Sequence, residues 1–208
     1  MKFLLLLAVF FACALPPSIR AQEAVENRLA LHDRFARGSC ELENMFGSYY
    51  LFDRGGKERV SVDNVVDSVR FGIMLYNPNG TSLLRGNFEF VSEIFGGAIF
   101  HGPGNVVAGA SIFLRYNFIQ PGSRLVPYFQ FGGGGVYTDI AHGEASSNAI
   151  SQNYNFNLQW ILGLRYLINP KWSLNLEGSY RHISNAGLSD PNYGIDQLGG
   201  ALGVGYSF

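Results

Sequence analysis

Charge and cysteine are scarce in this chain, and no uninterrupted apolar run of membrane-helix length follows residue 15. Charged residues make up 15% of the sequence, against a usual ~25%. The 15 Lys and Arg and 16 Asp and Glu nearly cancel, leaving a formal charge of −1. That balance excludes a nucleic-acid binder that relies on phosphate attraction. The two cysteines are Cys13 and Cys40. If Cys13 is lost with a leader, Cys40 has no intramolecular partner, and the mature chain must hold together by strand pairing and packing. Membrane helices need about 20 consecutive apolar residues, so a helical span is excluded after the leader. A hydrophobic content of 47% equally excludes a disordered chain, and 208 residues suit a single domain.

Glycine and aromatic residues are what the chain has in excess. There are 26 glycines, well above a usual share of about 7%, and aromatics reach 14%. This mixture points to a β protein with much aromatic surface. The first residues read as an address: Met1-Lys2, an apolar run from Phe3 to Leu15, then Pro16-Pro17 and Ser18-Ile19-Arg20-Ala21. We assign 1–21 to a secretory signal peptide cleaved after Ala21, 22–40 to a periplasmic N-terminal extension, and 41–208 to the main domain.

Within that domain, segments of about ten residues alternate strictly. From Tyr154 to Tyr166, even positions read Tyr154, Phe156, Leu158, Trp160, Leu162, Leu164, Tyr166, and odd positions read Asn155, Asn157, Gln159, Ile161, Gly163, Arg165. An apolar stripe with aromatic residues at both ends is the pattern of an outer-membrane strand, which turns its apolar face to lipid and its polar face to the lumen. The same test gives strands near 42–53, 64–76, 84–98, 106–118, 125–138, 152–167, 171–184 and 196–208. The expected fold is therefore all-β, an eight-stranded antiparallel transmembrane β-barrel of the bacterial outer membrane. Eight strands enclose an interior just wide enough for side chains to fill, so Arg70, Arg85, Glu89, Glu93, Arg115, Arg165, Glu177 and Arg181 should meet there in a paired network that leaves no pore. Connections alternate too. Asn77-Pro78-Asn79-Gly80, Gln120-Pro121-Gly122-Ser123 and Asn169-Pro170 are compact turns, while those after odd-numbered strands are mostly longer, which places both termini on the periplasmic side.

Small barrels serve as anchors, adhesins or enzymes, so function has to come from a site. Familiar soluble catalytic motifs and metal-ligand spacings are missing. Gly132 to Gly135 reads as a place of close strand approach, and His32, His101 and His142 read as solvated side chains. His182 differs by parity. Trp172, Leu174, Leu176, Tyr180, His182 and Ser184 share the lipid-facing side of one strand, where polar residues are costly unless they lie at the interface or work there. Neighbouring same-face positions lie roughly 6.6 Å apart along a strand, close enough for a Ser to His hydrogen bond.

A serine–histidine pair also needs a carboxylate that fixes the imidazole tautomer and stabilises its charged form. Asp196, on the next strand, shares the face. With Ser184 opposite Asp196 and His182 opposite Leu198, direct and diagonal distances of ~5 and ~7–8 Å bring Asp196 within reach of the ring. On spacing alone, three polar residues at a membrane rim remain an equal reading.

The residues themselves carry two resemblances. The end of the chain, with Leu202, Val204, Tyr206 and Phe208 spaced by two, resembles the C-terminal signature of outer-membrane barrels, which implies recognition by the barrel-insertion machinery. His182-Ile183-Ser184-Asn185-Ala186-Gly187-Leu188, followed by Pro191-Asn192-Tyr193-Gly194-Ile195-Asp196, resembles the PagL-type lipid A 3-O-deacylases, also classed with acyloxyacyl hydrolases. That resemblance implies a serine hydrolase with Ser184 as nucleophile, His182 as general base and Asp196 as orienting acid. It further implies an oxyanion hole from the Asn192 side chain and the Gly187 N–H, and no metal or cofactor. The implied substrate is lipid A, the lipid part of lipopolysaccharide, held among outer-membrane lipids. The family's acid is often Glu, so Asp196 is one methylene shorter than expected, which weakens its reach to His182 unless the loop moves inward. Two other classes stay open: a non-catalytic anchor or adhesin, and a phospholipase or acyltransferase using the same face. Association into a homodimer is left open as well.

Overall fold

The computed structural model describes residues 31–52, 61–142 and 149–208. The expected signal peptide, residues 22–30 of the extension, and parts of two long connections lie outside the described residues. Eight strands follow one another: β1 (Cys40–Leu51), β2 (Asp63–Met74), β3 (Gly86–His101), β4 (Val106–Phe118), β5 (Leu125–Thr138), β6 (Tyr154–Leu167), β7 (Trp172–Ser184) and β8 (Ile195–Ser207). Each pairs antiparallel with the next, and β8 closes on β1 to form a barrel with no free edge. Their bounds lie within about three residues of those read from alternation, because period-two patterning fixes which residues face inward over the whole strand.

The two faces divide as the alternation requires. On β6, Tyr154, Phe156, Leu158, Trp160, Leu162, Leu164 and Tyr166 are exposed on the outer wall, while Asn155, Asn157, Gln159, Ile161 and Arg165 are buried inside. Aromatic pairs mark both ends of the wall, with Trp172 and Tyr206 in contact at the end carrying the termini and Tyr137 and Tyr154 at the other. Such belts suit rings that meet both lipid and water.

Inside, the middle of the lumen holds five arginines and five glutamates, all buried, and four of the arginines form ion pairs with the glutamates. Arg115 bridges Glu43 at 2.7 Å and Glu89 at 3.3 Å. Arg165 meets Glu41 at 2.7 Å and Glu43 at 2.9 Å, and Arg70 joins Glu93 to Glu177, each at 2.6 Å. Arg181 donates to Asn64 and Gln197 and lies 3.8 Å from the centre of the Tyr49 ring. Tyr128 threads the network, its hydroxyl donating to Glu177 at 2.6 Å, and glycine is required at position 163 because a Cβ there would meet the Tyr128 ring at 2.0 Å. The expected lumen residues thus meet, with one exception. Arg85 precedes β3 and its guanidinium donates to the Ile119 carbonyl, so it lies at the turn, outside the network.

Apolar clusters cap the network at both ends. The first contains Leu31, Phe35, Met74, Ile119, Val126 and Leu167. The described part of the N-terminal extension, residues 31–39, enters this mouth of the barrel: Phe35 is fully buried, Arg34 bridges Glu41 at 2.6 Å, and Asn87 donates to the Phe35 carbonyl. The irregular spacing of Leu31 and Phe35 reflects this plugging role, since a segment filling a barrel mouth need present no regular face. At the other end Tyr49, Val66, Phe95, Val136, Ile183 and Ile195 pack together. That second plug matters for the site, because Ile183 and Ile195 alternate with the candidate residues and hold their strands from inside. The glycine run of β5 is a place of close approach, as expected. A Cβ on Gly132 would lie 2.0 Å from the Ile112 carbonyl oxygen, and one on Gly134 1.9 Å from that of Ala110.

Candidate active site

His182 and Asp196 are cross-strand partners. The β7–β8 ladder sets His182 opposite Asp196, Ile183 opposite Ile195 and Tyr180 opposite Leu198. This corrects the expected register, in which Ser184 stood opposite Asp196 and His182 opposite Leu198. The two registers differ by two residues, which leaves every side chain on the same face, so alternation alone could not separate them. The observed one gives the closer acid. His182 Nδ1 lies 2.8 Å from Asp196 Oδ1, the contact that the resemblance implied and that the shorter side chain put at risk. Direct opposition, in place of the diagonal, makes up for the missing methylene.

Asp196 is the one buried acidic residue among those described that lies on the outer wall, its side chain 3% exposed while that of His182 is 35% exposed. The Tyr180 hydroxyl also donates to Asp196 Oδ1. With Nδ1 held by the carboxylate, Nε2 is the second ring nitrogen of the pair. Gly194 makes room for the ring: it has φ +71°, and a Cβ there would meet His182 Cε1 at 2.7 Å.

Ser184 ends β7 on the same face as His182, half-buried, opposite Phe156 of β6. Continuing the ladder by one same-face pair sets it across from Gly194. Among the described hydrogen bonds none joins Ser184 to His182, so the site brings the base and acid into contact and holds the serine one same-face position away.

The loop after Ser184 is built around Asn185, which is fully buried. Its side chain donates to the Ser189 carbonyl at 2.6 Å and to Ser151 Oγ, and accepts the Gly187 N–H at 2.9 Å. Its own N–H donates to Asn192 Oδ1 at 3.0 Å. Ala186 and Gly187 both take positive φ, 55° and 80°, which turns the chain sharply there. A bridge between Ile150 and Asn192, and the Gly194 N–H on the Ala149 carbonyl, tie this loop to the segment before β6. The loop therefore fixes the Asn192 carboxamide with its oxygen committed to Asn185 and its NH2 as the donor end. The Gly187 N–H, by contrast, is occupied by Asn185.

Of the predicted residues, then, His182, Asp196 and Ser184 share one outward patch at the barrel rim, and Asn192 and Gly187 lie in the loop above it. Sequence reasoning passed over Tyr180, Asn185 and Gly194. Tyr180 was visible as a same-face neighbour of His182, and Asn185 stood inside the quoted segment, but only the three-dimensional register shows what each touches. His101, read as solvated, pairs with Asp63 at 3.0 Å. Two apolar grooves border the patch. One, of about 500 Å³, runs along Phe129, Trp160, Leu162, Gly178, Tyr180 and Leu198. The other, of about 460 Å³, includes Gly135, Tyr137, Tyr154, Phe156 and Leu188.

A closed eight-stranded barrel with an apolar wall and aromatic belts is the architecture of an outer-membrane β-barrel. The family model described as "Lipid A 3-O-deacylase (PagL)" matches residues 66–205, and the chain belongs to that family. With membership comes its general class, a hydrolase that removes an acyl chain from lipid A. Solved structures agree on the fold. The crystal structure of the outer membrane enzyme PagL superposes with a TM-score of 0.55 at 15% identity, covering 78% of this chain and 97% of that one. OprG from Pseudomonas aeruginosa gives 0.51 at 15% identity, over 83% and 97% of the two chains. Neisserial surface protein A gives 0.50 at 12% identity, over 81% and 95%. No curated protein sequence matches the chain.

Proposed function

We propose that this chain is a serine esterase that hydrolyses the ester-linked 3-hydroxyacyl chain at position 3 of lipid A in the outer leaflet. The observation that carries the reading is the 2.8 Å contact between His182 Nδ1 and Asp196 Oδ1 on the lipid-facing wall, with Ser184 next along the same face. A buried carboxylate on that wall is costly unless paired, and with Nδ1 held by Asp196 the partly exposed ring is left with Nε2 to take a proton.

In the first step Ser184 Oγ attacks the ester carbonyl while His182 Nε2 accepts its proton. Asp196 holds the ring in the required tautomer and stabilises the imidazolium. The Asn192 NH2 donates to the developing oxyanion, where a prepositioned donor is worth most. Gly187 joins it by exchanging its bond to Asn185 for one to the substrate oxygen. The tetrahedral intermediate collapses as His182 returns the proton to the sugar hydroxyl, which leaves as alcohol, and an acyl group remains on Ser184. Water, deprotonated by His182, then releases the 3-hydroxy acid. The acyl chain lies along the apolar wall in a groove beside the patch, which explains an outward-facing site. In this reading both termini are periplasmic, Phe208 ends the segment read by the insertion machinery, and the patch reaches the outer leaflet.

The test is mass spectrometry of lipid A from cells expressing the wild type or Ser184→Ala at equal outer-membrane level. Loss of one 3-hydroxyacyl mass with the wild type alone is expected. The same loss with Ser184→Ala would remove Ser184 as nucleophile, and an unchanged spectrum with both would remove the deacylase reading.

A further inference from the structure

The acid of the pair has a second donor that the chemistry above does not use. Asp196 sits opposite His182, and Tyr180, two residues before His182 on the same face of β7, is its diagonal neighbour. A diagonal separation of ~7–8 Å is too far for a short side chain and within reach of an aromatic one. The Tyr180 hydroxyl spans it and donates to the same Oδ1 that faces His182 Nδ1. From the other side of β8, the Phe52 N–H donates to the Asp196 main-chain carbonyl.

We propose that Tyr180 is a positioning residue that fixes the Asp196 carboxylate against His182; this rests on the serine-esterase reading. Two physical demands meet at this hydroxyl. A carboxylate nearly closed to water on a lipid-facing wall needs donors for its lone pairs, and the tyrosine supplies one from the membrane side while its ring lines the apolar groove with Trp160 and Leu198. An aspartate has one rotatable bond fewer than a glutamate and sits close to its own strand, so a second donor reaching it diagonally selects the rotamer that points to Nδ1. The tyrosine and the short acid therefore work as a unit: direct opposition brings Asp196 to His182, and the tyrosine hydroxyl holds it there.

Tyr180→Phe keeps the ring and the groove and removes only the donor. Wild type and variant, folded in detergent micelles and checked by heat-modifiable migration, are compared in two ways. With a micellar acyloxyacyl ester, kcat should fall about tenfold with KM within twofold, because a group acting through Asp196 changes the chemical step. A tyrosine that merely lined the wall would change KM. Independently of turnover, the low-field NMR signal of the His182 Nδ1 proton should move upfield and broaden in the variant. An unchanged signal together with unchanged kcat overturns the positioning role. A signal that responds to Tyr180→Phe in a barrel whose wild type leaves lipid A intact supports the positioning role and overturns the deacylase reading instead.

Discussion

Two polar clusters in this barrel are built by opposite rules. In the lumen, buried arginines and glutamates pair under two apolar plugs, so that most of the charges there face an opposite one. At the rim the pair is covered unevenly: Asp196 is buried among its partners, and His182 keeps about a third of its side chain exposed. Both arise from the same alternation, since one face of β7 carries Glu177 and Arg181 inward and the other carries Tyr180, His182 and Ser184 outward. A sealed charge can only support the fold; a pair with one member exposed is open to a substrate in the proposed reading. The lumen should thus govern stability with little effect on chemistry, and the rim the reverse.

The comparison breaks most visibly if a lumen partner is removed. Arg115 contacts Glu43 and Glu89 and lies 4.6 Å from the centre of the Tyr128 ring. Arg115→Met leaves two buried carboxylates short of a partner, a loss of about 3–5 kcal/mol for a broken buried pair. Denaturant unfolding in micelles should show it, while the specific activity of the folded fraction stays within about twofold. Unchanged unfolding would mean that water replaces the guanidinium and that the lumen is not sealed.

How much of this was legible beforehand follows from the same physics. The eight strands, their faces and the outward position of His182, Ser184 and Asp196 could be read because period two is imposed over ten residues at a time. The register of β7 on β8 could not, since a shift by two conserves every face; it took the ladder to place Asp196 directly opposite His182. Glu41 and Glu43, which complete the ion-pair network, also escaped, because the strand carrying them was read from residue 42 and its charged face was not tested. Arg34 and Phe35 escaped for a different reason: they enter the lumen from a segment with no period, and their partners come from β1, β3 and β7.

At the rim the expected changes are in rate. Asn192 has its carboxamide oxygen tied to the Asn185 N–H, which aims the NH2. Asn192→Ala should lower kcat about 10²-fold with no loss of unfolding free energy beyond that of the surface loop. A fall in stability with kcat retained would make Asn192 a loop brace, and would move it to the architectural side of the comparison.

The smallest effect is expected where a polar cluster is neither sealed nor reactive. Asp139 lies just past β5, where its carboxylate accepts the N–H groups of Asn105 and Val106 at 2.7 and 2.9 Å and the Asn105 side chain at 3.2 Å. A slight desolvation raises its pKa, and the donors of Val106 and Asn105 outweigh it, so the group is held below its ordinary value. A carboxyl depressed in the folded state contributes stability that is present above its unfolded pKa of about 3.9 and is lost as pH falls through the lower folded value. Amide protection at Asn105 and Val106 should therefore weaken below about pH 4, and Asp139→Asn should weaken it at neutral pH. Because the cluster faces solvent, global unfolding should shift by no more than about 0.5 kcal/mol. A larger shift would show that this exposed turn shares the cooperative unit of the lumen, and that the division between structural and open polar groups runs through the loops as well as the wall.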